Sequence, residues 1–235
     1  MNVSSSNLSI AWVRDKLGYE CRDPALLEAA LTHRSATGPH NERLEFLGDA
    51  VLNCVVAMLM YRNYPAADEG DLSRFRASLV SGDSLAAIAG ELGLGERLRL
   101  GSGELKSGGF RRKSILADAL EALFGAIYLD GGFEAAERVI GMVLLQRLDS
   151  LPSAAELKDP KTRLQEALQA RGLNLPVYVV ESIHGEAHNQ IFRVRCAVDA
   201  LKLNTFGEGL SRRRAEQEAA RALLDQLAAM PESKR

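Results

Sequence analysis

Apolar side chains recur every three or four residues through residues 9–151, the spacing that places them on one face of an α-helix. The longest stretch of this kind covers residues 41–64, and Pro65 should end it because proline has no backbone N–H to donate. Other helices are predicted to begin at Asp71 and Asp83, and to span residues 114–129 and 133–148. The pattern therefore predicts an all-α domain over residues 1–150.

The pattern changes after a predicted linker at residues 151–158, where Pro152 lies among small and polar side chains. Beyond it, apolar and polar residues alternate in short runs, which is typical of half-buried strands. The predicted elements are a helix at 161–171, strands at 177–183, 191–198 and 200–207, and a helix at 212–230. This order predicts a small α+β (α-β-β-β-α) domain over residues 159–230, followed by a frayed tail at 231–235.

A glycine-rich stretch at residues 101–113 is predicted to be a loop that ends in Arg111, Arg112 and Lys113. It lacks the Gly-Lys-Ser/Thr sequence and the preceding strand that a P-loop requires, so we expect no nucleotide cofactor. The three cations at its end would instead suit a polyanion.

Composition bears on the cellular setting more than on the chemistry. The chain has 235 residues and a net charge of −2, so no overall positive field favours nucleic acid. Its three cysteines are scattered, and the polar N-terminus lacks the apolar segment of a secretory signal. The longest apolar run, residues 50–61, is too short to span a bilayer. These features predict a cytoplasmic protein without a membrane segment.

Acidic side chains form a stripe on the longest predicted helix. Glu42, Glu45 and Asp49 fall on one helical face, and like charges at this spacing repel unless a cation lies between them. The positions that extend the stripe, Gly38 and Asn53, are not basic. A divalent metal ion would neutralise the stripe, and the alternative is an ordinary solvated acidic face.

A second acidic pair, Asp118 and Glu121, lies in a predicted helix that is apolar nearly all round. Unpaired carboxylates in such a helix are costly to bury, or are kept protonated. Hard cations such as Mg²⁺ prefer carboxylate oxygens as ligands. If the two helices pack so that this pair meets Glu45 and Asp49, the four side chains would form a metal site.

Two further residues have competing interpretations. Glu69 either belongs to the acidic site or stabilises the start of its helix as a cap or dipole partner. Phe46 lies on the acidic side of its helix, so it either contacts a partner protein or is covered by a neighbouring helix of the same chain.

Three arginines, Arg212, Arg213 and Arg214, begin the last predicted helix. Free backbone N–H groups and the helix dipole attract anions at such a position. The arginines oppose the dipole of their own helix, so phosphate binding explains them better than helix stability does. His188 lies in a predicted loop between two strands, and by itself it indicates no function.

Several motifs together resemble the bacterial ribonuclease III family. Residues 41–49, Asn-Glu-Arg-Leu-Glu-Phe-Leu-Gly-Asp, resemble its signature, and residues 114–132, from Ser-Ile-Leu-Ala-Asp to Leu-Asp-Gly-Gly, resemble its second motif. Asp-Pro-Lys-Thr-Arg-Leu-Gln-Glu at 159–166, Gly-Glu-Ala-His at 185–188 and Ser-Arg-Arg-Arg-Ala-Glu at 211–216 resemble a double-stranded-RNA-binding domain. One departure is Leu210, where the family often has a small residue.

The resemblance implies a homodimeric, Mg²⁺-dependent endonuclease, able to use Mn²⁺ instead, that cuts double-stranded RNA. Its products would carry 5′-phosphate and 3′-hydroxyl ends with a short 3′ overhang. The implied targets are ribosomal RNA precursors and some messenger and transfer RNAs. A non-catalytic double-stranded-RNA-binding dimer is the competing interpretation, although such a protein would not need acids in an apolar helix.

The resemblance also implies a role for individual residues. In the helical domain it implies Glu45, Asp118 and Glu121 as metal ligands, Asp49 and Glu121 in catalysis, Glu42 and Glu69 as supporting acids, and Phe46 at the dimer contact. In the binding domain it implies Gln165, Glu166 and His188 at the RNA minor groove, with Arg212 and Arg213 on phosphates.

Overall fold

A computed structural model describes residues 3–186 and 189–229. The chain divides into two compact units between Pro152 and Ser153. The first unit is helical, and the second combines helices with a three-stranded sheet. The predicted fold class, an all-α domain followed by a small α+β domain, is therefore confirmed.

The first unit consists of α-helices joined by short turns. They are α1 (Val3–Leu17), α2 (Pro24–Ala30), α3 (Glu42–Asn63), α4 (Glu69–Leu79), α5 (Gly82–Glu91), α6 (Ser102–Lys106), α7 (Lys113–Gly131) and α8 (Phe133–Asp149). Two 3₁₀ turns, Leu94–Arg97 and Gly109–Arg111, lie on either side of α6.

The centre of this unit is the packing of α3 against α7. Eleven of the 19 residues of α7 are buried, as its uniformly apolar sequence predicts. The two helices approach closely at Gly48 and Gly125. A β-carbon at Gly48 would overlap the backbone carbonyl of Glu121, and one at Gly125 would overlap the carbonyl of Leu44. The missing side chains therefore set how closely the acidic faces of the two helices approach.

Replacing Gly48 with alanine should separate α3 from α7, because the added carbon meets backbone that cannot rotate away. We expect a loss of about 1–3 kcal/mol in the free energy of unfolding, measured by urea denaturation. Gly141→Ala is the matched control, since a β-carbon there meets nothing within 4 Å and alanine favours a helix. Equal stability of the two variants would contradict the close approach.

Helix α3 is long and apolar enough, by length and composition alone, to cross a membrane. The sequence expectation considered only residues 50–61 and did not anticipate this. Seven residues of α3 are buried within the unit, among them Leu52 and Val55 against the globular core. The core helix of a globular unit has these same properties.

Two local predictions in this unit were wrong. The glycine-rich stretch is not all loop, since it contains α6 and the turn Gly109–Arg111. The helix predicted to open at Asp71 begins at Glu69, because Asp68 caps it by accepting a hydrogen bond from the Asp71 backbone N–H at 2.7 Å.

The second unit contains an antiparallel sheet of order β1-β2-β3 with helices before and after it. Its elements are α9 (Ala154–Leu157), α10 (Pro160–Ala170), β1 (Val177–His184), β2 (Ile191–Val198), β3 (Leu203–Gly209) and α11 (Arg212–Ala229). Buried side chains of α10, β2 and α11 form a core, among them Leu164, Leu168, Cys196 and Leu223. The alternating pattern of β2 therefore does mark its buried face.

Two boundaries differ from the sequence prediction. The third strand begins at Leu203 and not at residue 200, because Asp199–Leu201 forms a 3₁₀ turn and Lys202 has a positive φ of 54°. The predicted linker contains the short helix α9, whose start is held by a capping box between Ser153 and Glu156. The predicted tail at residues 231–235 lies outside the described residues.

A candidate metal centre

Three carboxylates converge where α3 crosses α7. Glu45, Asp118 and Glu121 each offer a ligand atom, and these atoms lie within 4.8 Å of one another. All three side chains are half-buried. In the described part of the chain, no other set of three or more His, Cys, Asp or Glu side chains converges in this way. The donors are all carboxylate oxygens, which is the ligand type that hard divalent cations prefer.

Burial disfavours the ionised form of all three carboxylates, and repulsion by neighbouring carboxylates adds to this effect at Glu45 and Glu121. Desolvation by burial, followed by the charges of Asp49, Asp118 and Glu45, raises the pKa of Glu121 to about 7. Burial also raises the pKa values of Glu45 and Asp118. A bound divalent cation would offset both effects, so the electrostatics of the group suit a metal ion.

Asp49 lies beside the three carboxylates rather than among them. It is exposed, and its carboxylate accepts a hydrogen bond from the Asn53 side-chain amide at 2.9 Å. The structure thus brings together three of the four acids that the sequence grouped. Asp49 acts on the group through its charge, which raises the pKa of Glu121.

Glu42 is not free of cations, which corrects the sequence interpretation. The guanidinium of Arg34 lies 3.0 Å from its carboxylate, and His40 lies 3.6 Å away. The spacing of residues along the helix gives no sign of Arg34 or His40, because both belong to the loop before α3. Arg34 also favours the ionised forms of Glu45 and Asp118, lowering their pKa values against the effect of burial.

The structure bears on both residues that had competing interpretations, Glu69 and Phe46. Glu69 is the first residue of α4 and is exposed, and its carboxylate accepts a hydrogen bond from the Ser73 hydroxyl at 3.1 Å. The structure does not bring it into the group of three. Phe46 is 82% exposed, so of its two interpretations the one in which a neighbouring helix of the same chain covers it is wrong.

In the second unit, the predicted RNA-contacting residues lie on exposed helix surfaces. Gln165 and Glu166 are exposed on α10, and Glu166 pairs with Lys158 at 2.9 Å. Arg213 is exposed at the start of α11. His188 lies outside the described residues.

Arg212 has a structural partner that the sequence interpretation did not anticipate. Its guanidinium lies 2.8 Å from Glu216, one turn along α11, and Glu216 also pairs with Lys161 at 2.5 Å. These two cations lower the pKa of Glu216 against the effect of burial. Arg212 is still 64% exposed at its side chain, so phosphate binding remains open to it.

Two family models match the chain along most of its length. One, described as Ribonuclease-III-like, matches residues 23–148, and one described as the double-stranded RNA binding motif matches residues 160–227. The chain belongs to the ribonuclease III family. It is an endoribonuclease whose nuclease domain is followed by a double-stranded-RNA-binding domain.

Relatives and solved structures agree with this membership. The chain is 58% identical over 215 residues to Ribonuclease 3 of Alkalilimnicola ehrlichii, covering 92% of this chain and 94% of that protein. It is 56% identical over 212 residues to Ribonuclease 3 of Vibrio cholerae, covering 90% and 94%. The nuclease domain of ribonuclease III from Campylobacter jejuni is 43% identical with a TM-score of 0.57, covering 60% of this chain and 99% of that one.

The ribonuclease III domain also contains a cleft that the sequence did not predict. It has a volume of about 550 Å³ and opens beside Glu45 and Asp118. Its walls include His33, Arg34 and Arg112. These residues lie in loops or at a helix start, where helical periodicity gives no signal.

The raised pKa of Glu121 predicts how the stability of the metal-free enzyme depends on pH. The folded protein holds this proton up to about pH 7, whereas the unfolded chain releases it near the ordinary glutamate pKa of 4.5. The stabilisation is therefore complete below the unfolded pKa and is lost as the pH rises through the folded one. We expect the free energy of unfolding to fall by roughly 1–3 kcal/mol between about pH 5 and pH 8.

Urea denaturation of the metal-free protein at several pH values measures this slope. Other groups also titrate, so the informative quantity is the difference between the unaltered chain and Glu121→Gln, which should have the flatter profile. Parallel profiles would show that Glu121 ionises normally in the folded protein.

Proposed function

We propose that this enzyme hydrolyses phosphodiester bonds of double-stranded RNA with Mg²⁺, or Mn²⁺ in its place. The products would have 5′-phosphate and 3′-hydroxyl ends with a short 3′ overhang. Family membership supports cytoplasmic processing of ribosomal RNA precursors and of some messenger and transfer RNAs. The observation that carries the proposal is the convergence of three half-buried carboxylates at the crossing of α3 and α7.

The residues that would hold the cation are Glu45, Asp118 and Glu121. Their donor atoms are all oxygens, and no histidine or cysteine belongs to the group, which fits Mg²⁺ better than Zn²⁺. When bound, the cation supplies positive charge that stabilises the phosphate in the transition state and favours ionisation of the attacking water. The pKa of Glu121, raised to about 7, means that binding the cation would release a proton from this residue near neutral pH.

Asp49 and Glu121 would act on the reacting water. Asn53 donates a hydrogen bond to the Asp49 carboxylate at 2.9 Å and so restricts its orientation next to the group. Because Asp49 is exposed, the other lone pairs of its carboxylate are available to a water molecule. Glu42 and Glu69 would play supporting parts, Glu42 through its ion pair with Arg34.

The second unit would supply most of the affinity for duplex RNA. We infer that Gln165, Glu166 and His188 contact the minor groove of the RNA. Arg212 and Arg213 would bind phosphates across the major groove. The exposure of Arg213 and of both α10 residues supports this division. We place the domain limits at residues 1–150 and 159–230, with 151–158 as the linker between them.

We propose that the enzyme is a homodimer that associates through α3. The side chains of Phe46, Ala50, Cys54 and Tyr61 are exposed and lie on one face of this helix. A soluble protein seldom leaves such an apolar stripe uncovered, and a second copy would bury it. The Campylobacter jejuni nuclease domain is described as having a region involved in dimer formation, which supports the same assembly here.

Phe46→Glu should therefore disrupt the dimer. A glutamate buried in an apolar interface costs about 2–4 kcal/mol per contact, so the dimer dissociation constant should rise by at least about 30-fold. Sedimentation velocity over a range of protein concentrations measures this shift. Leu105→Glu, at an apolar residue 55% exposed on α6, is the control and should leave association intact. Equal effects of both variants would rule out the α3 stripe as the interface.

The experiment that tests the function is incubation of the purified enzyme with long duplex RNA, with and without Mg²⁺. We expect fragments that form only when Mg²⁺ is present and that a ligase can join through their 5′-phosphate ends. We expect little cutting of single-stranded RNA of the same sequence. Binding of the duplex without cutting in Mg²⁺ would instead support a non-catalytic double-stranded-RNA-binding protein.

A further inference from the structure

Arg34 is one of the cations that line the cleft beside the three carboxylates. It lines that cleft together with Glu45 and Asp118, and its charge acts on both of them. Its side chain is 68% exposed. A positive charge at this rim would attract an anion toward the carboxylates, which by themselves would repel one.

The backbone on both sides of Arg34 is fixed, although its side chain is exposed. His33 donates its backbone N–H to the carbonyl of Arg99 at 3.0 Å. The hydroxyl of Ser35 accepts a hydrogen bond from the backbone N–H of Gly101 at 2.9 Å. Arg34 thus reaches the cleft from an ordered loop, so binding a ligand would order its side chain without also having to order the loop.

The ion pair that holds the Arg34 side chain against Glu42 is weak. Both side chains of this ion pair are exposed to solvent, and such pairs contribute little to stability. Arg34 can leave this carboxylate at low cost, and His40 remains 3.6 Å from Glu42 as a second neighbour. A phosphate oxygen pair is a better acceptor for a guanidinium, because both N–H groups can bind at once.

We propose that Arg34 exchanges Glu42 for a phosphate group of the RNA strand that is being cut, and so binds substrate beside the three carboxylates. The cleft volume of about 550 Å³ is within the range that accommodates a nucleotide. The inference rests on the proposed function, since the cleft receives RNA only if the strand is cut at the adjacent group.

RNA binding provides the first test, in the Glu121→Gln background so that the RNA stays intact. Adding Arg34→Ala should weaken duplex binding by about tenfold or more, because a charge-assisted phosphate contact is lost. The slope of log Kd against log salt should become shallower by about one, since one phosphate contact fewer displaces counterions. Arg34→Lys should retain the slope and lose part of the affinity.

Metal affinity provides a second readout that a structural role would not give. Without RNA, Arg34→Ala in the otherwise unaltered chain should bind Mn²⁺ several-fold more tightly, because a repelling charge beside the carboxylates is gone. Calorimetric titration measures this affinity. If Arg34 only held Glu42 or the loop in place, metal binding would weaken instead, and that result would overturn the proposal.

Arg62→Ala is the matched control, because Arg62 is 59% exposed and forms an ion pair of 2.8 Å with Glu137 at the other end of α3. It should change neither the salt slope nor the metal affinity. An unchanged salt slope in Arg34→Ala, or an equal change in Arg62→Ala, would refute the phosphate contact. Failure of the proposed function would appear separately, as absent cleavage by the unaltered enzyme.

Discussion

Glu121→Gln should reduce the rate of duplex RNA cleavage in saturating Mg²⁺ by at least about 1,000-fold, with little change in duplex affinity. The substitution keeps the shape of the side chain and removes one of three converging carboxylates. It also removes the group whose pKa is raised to about 7 and which would lose its proton on binding the cation. Single-turnover cleavage assays and gel-shift titrations on the same preparations measure the two effects.

Glu134→Gln is a suitable control for this variant. Glu134 is an exposed acid in the first turn of α8, outside the group of three. It should cut RNA at the rate of the unaltered enzyme. Cleavage by Glu121→Gln within about tenfold of that rate would remove Glu121 from the catalytic set.

Removing residues 153–235 should weaken duplex binding by roughly 100- to 1,000-fold at physiological salt, while some cleavage survives at low salt. The first unit has its own core around α3 and α7, so it should keep the three converging carboxylates in place. What it would lose are the exposed groups of α10 and the arginines of α11. Fluorescence anisotropy with a labelled duplex, over a series of salt concentrations, measures the loss.

A charge reversal in the whole chain separates loss of contacts from loss of the domain. Arg213→Glu, which leaves the Arg212–Glu216 ion pair intact, should weaken duplex binding several-fold and make the salt dependence shallower by about one. Arg221→Glu, further along α11 and paired with Glu218 at 2.6 Å, is the control and should have a small effect. Full duplex affinity of the truncated enzyme would contradict the division of work between the two units.

The sequence was most informative where periodicity and burial act together. Because α7 is uniformly apolar, its burial could be predicted, and acids within a buried helix need a partner for their charge. Asp118 and Glu121 do lie in the group of three carboxylates. The alternation along β2 likewise predicted a half-buried strand, with Cys196 and Val198 on the buried side. These patterns reflect local physics that one segment carries by itself.

What the sequence could not provide depends on segments distant along the chain. Arg34 neutralises Glu42 from a loop, so no spacing within the helix reveals it. The close approach of α3 and α7 depends on Gly48 facing the backbone of Glu121 across 73 positions. The start of β3 was misplaced because residues 200–202 have strand-like composition, while the turn Asp199–Leu201 sets the register.

We propose above all that Glu45, Asp118 and Glu121 hold the catalytic cation. The most direct measurement is diffraction from crystals of the enzyme soaked in Mn²⁺, with data collected at the manganese absorption edge. We expect an anomalous peak within coordination distance of all three carboxylates, absent from crystals of Glu121→Gln or much weaker there. A peak elsewhere, or none at this group in a preparation that cuts duplex RNA with Mn²⁺, would contradict it.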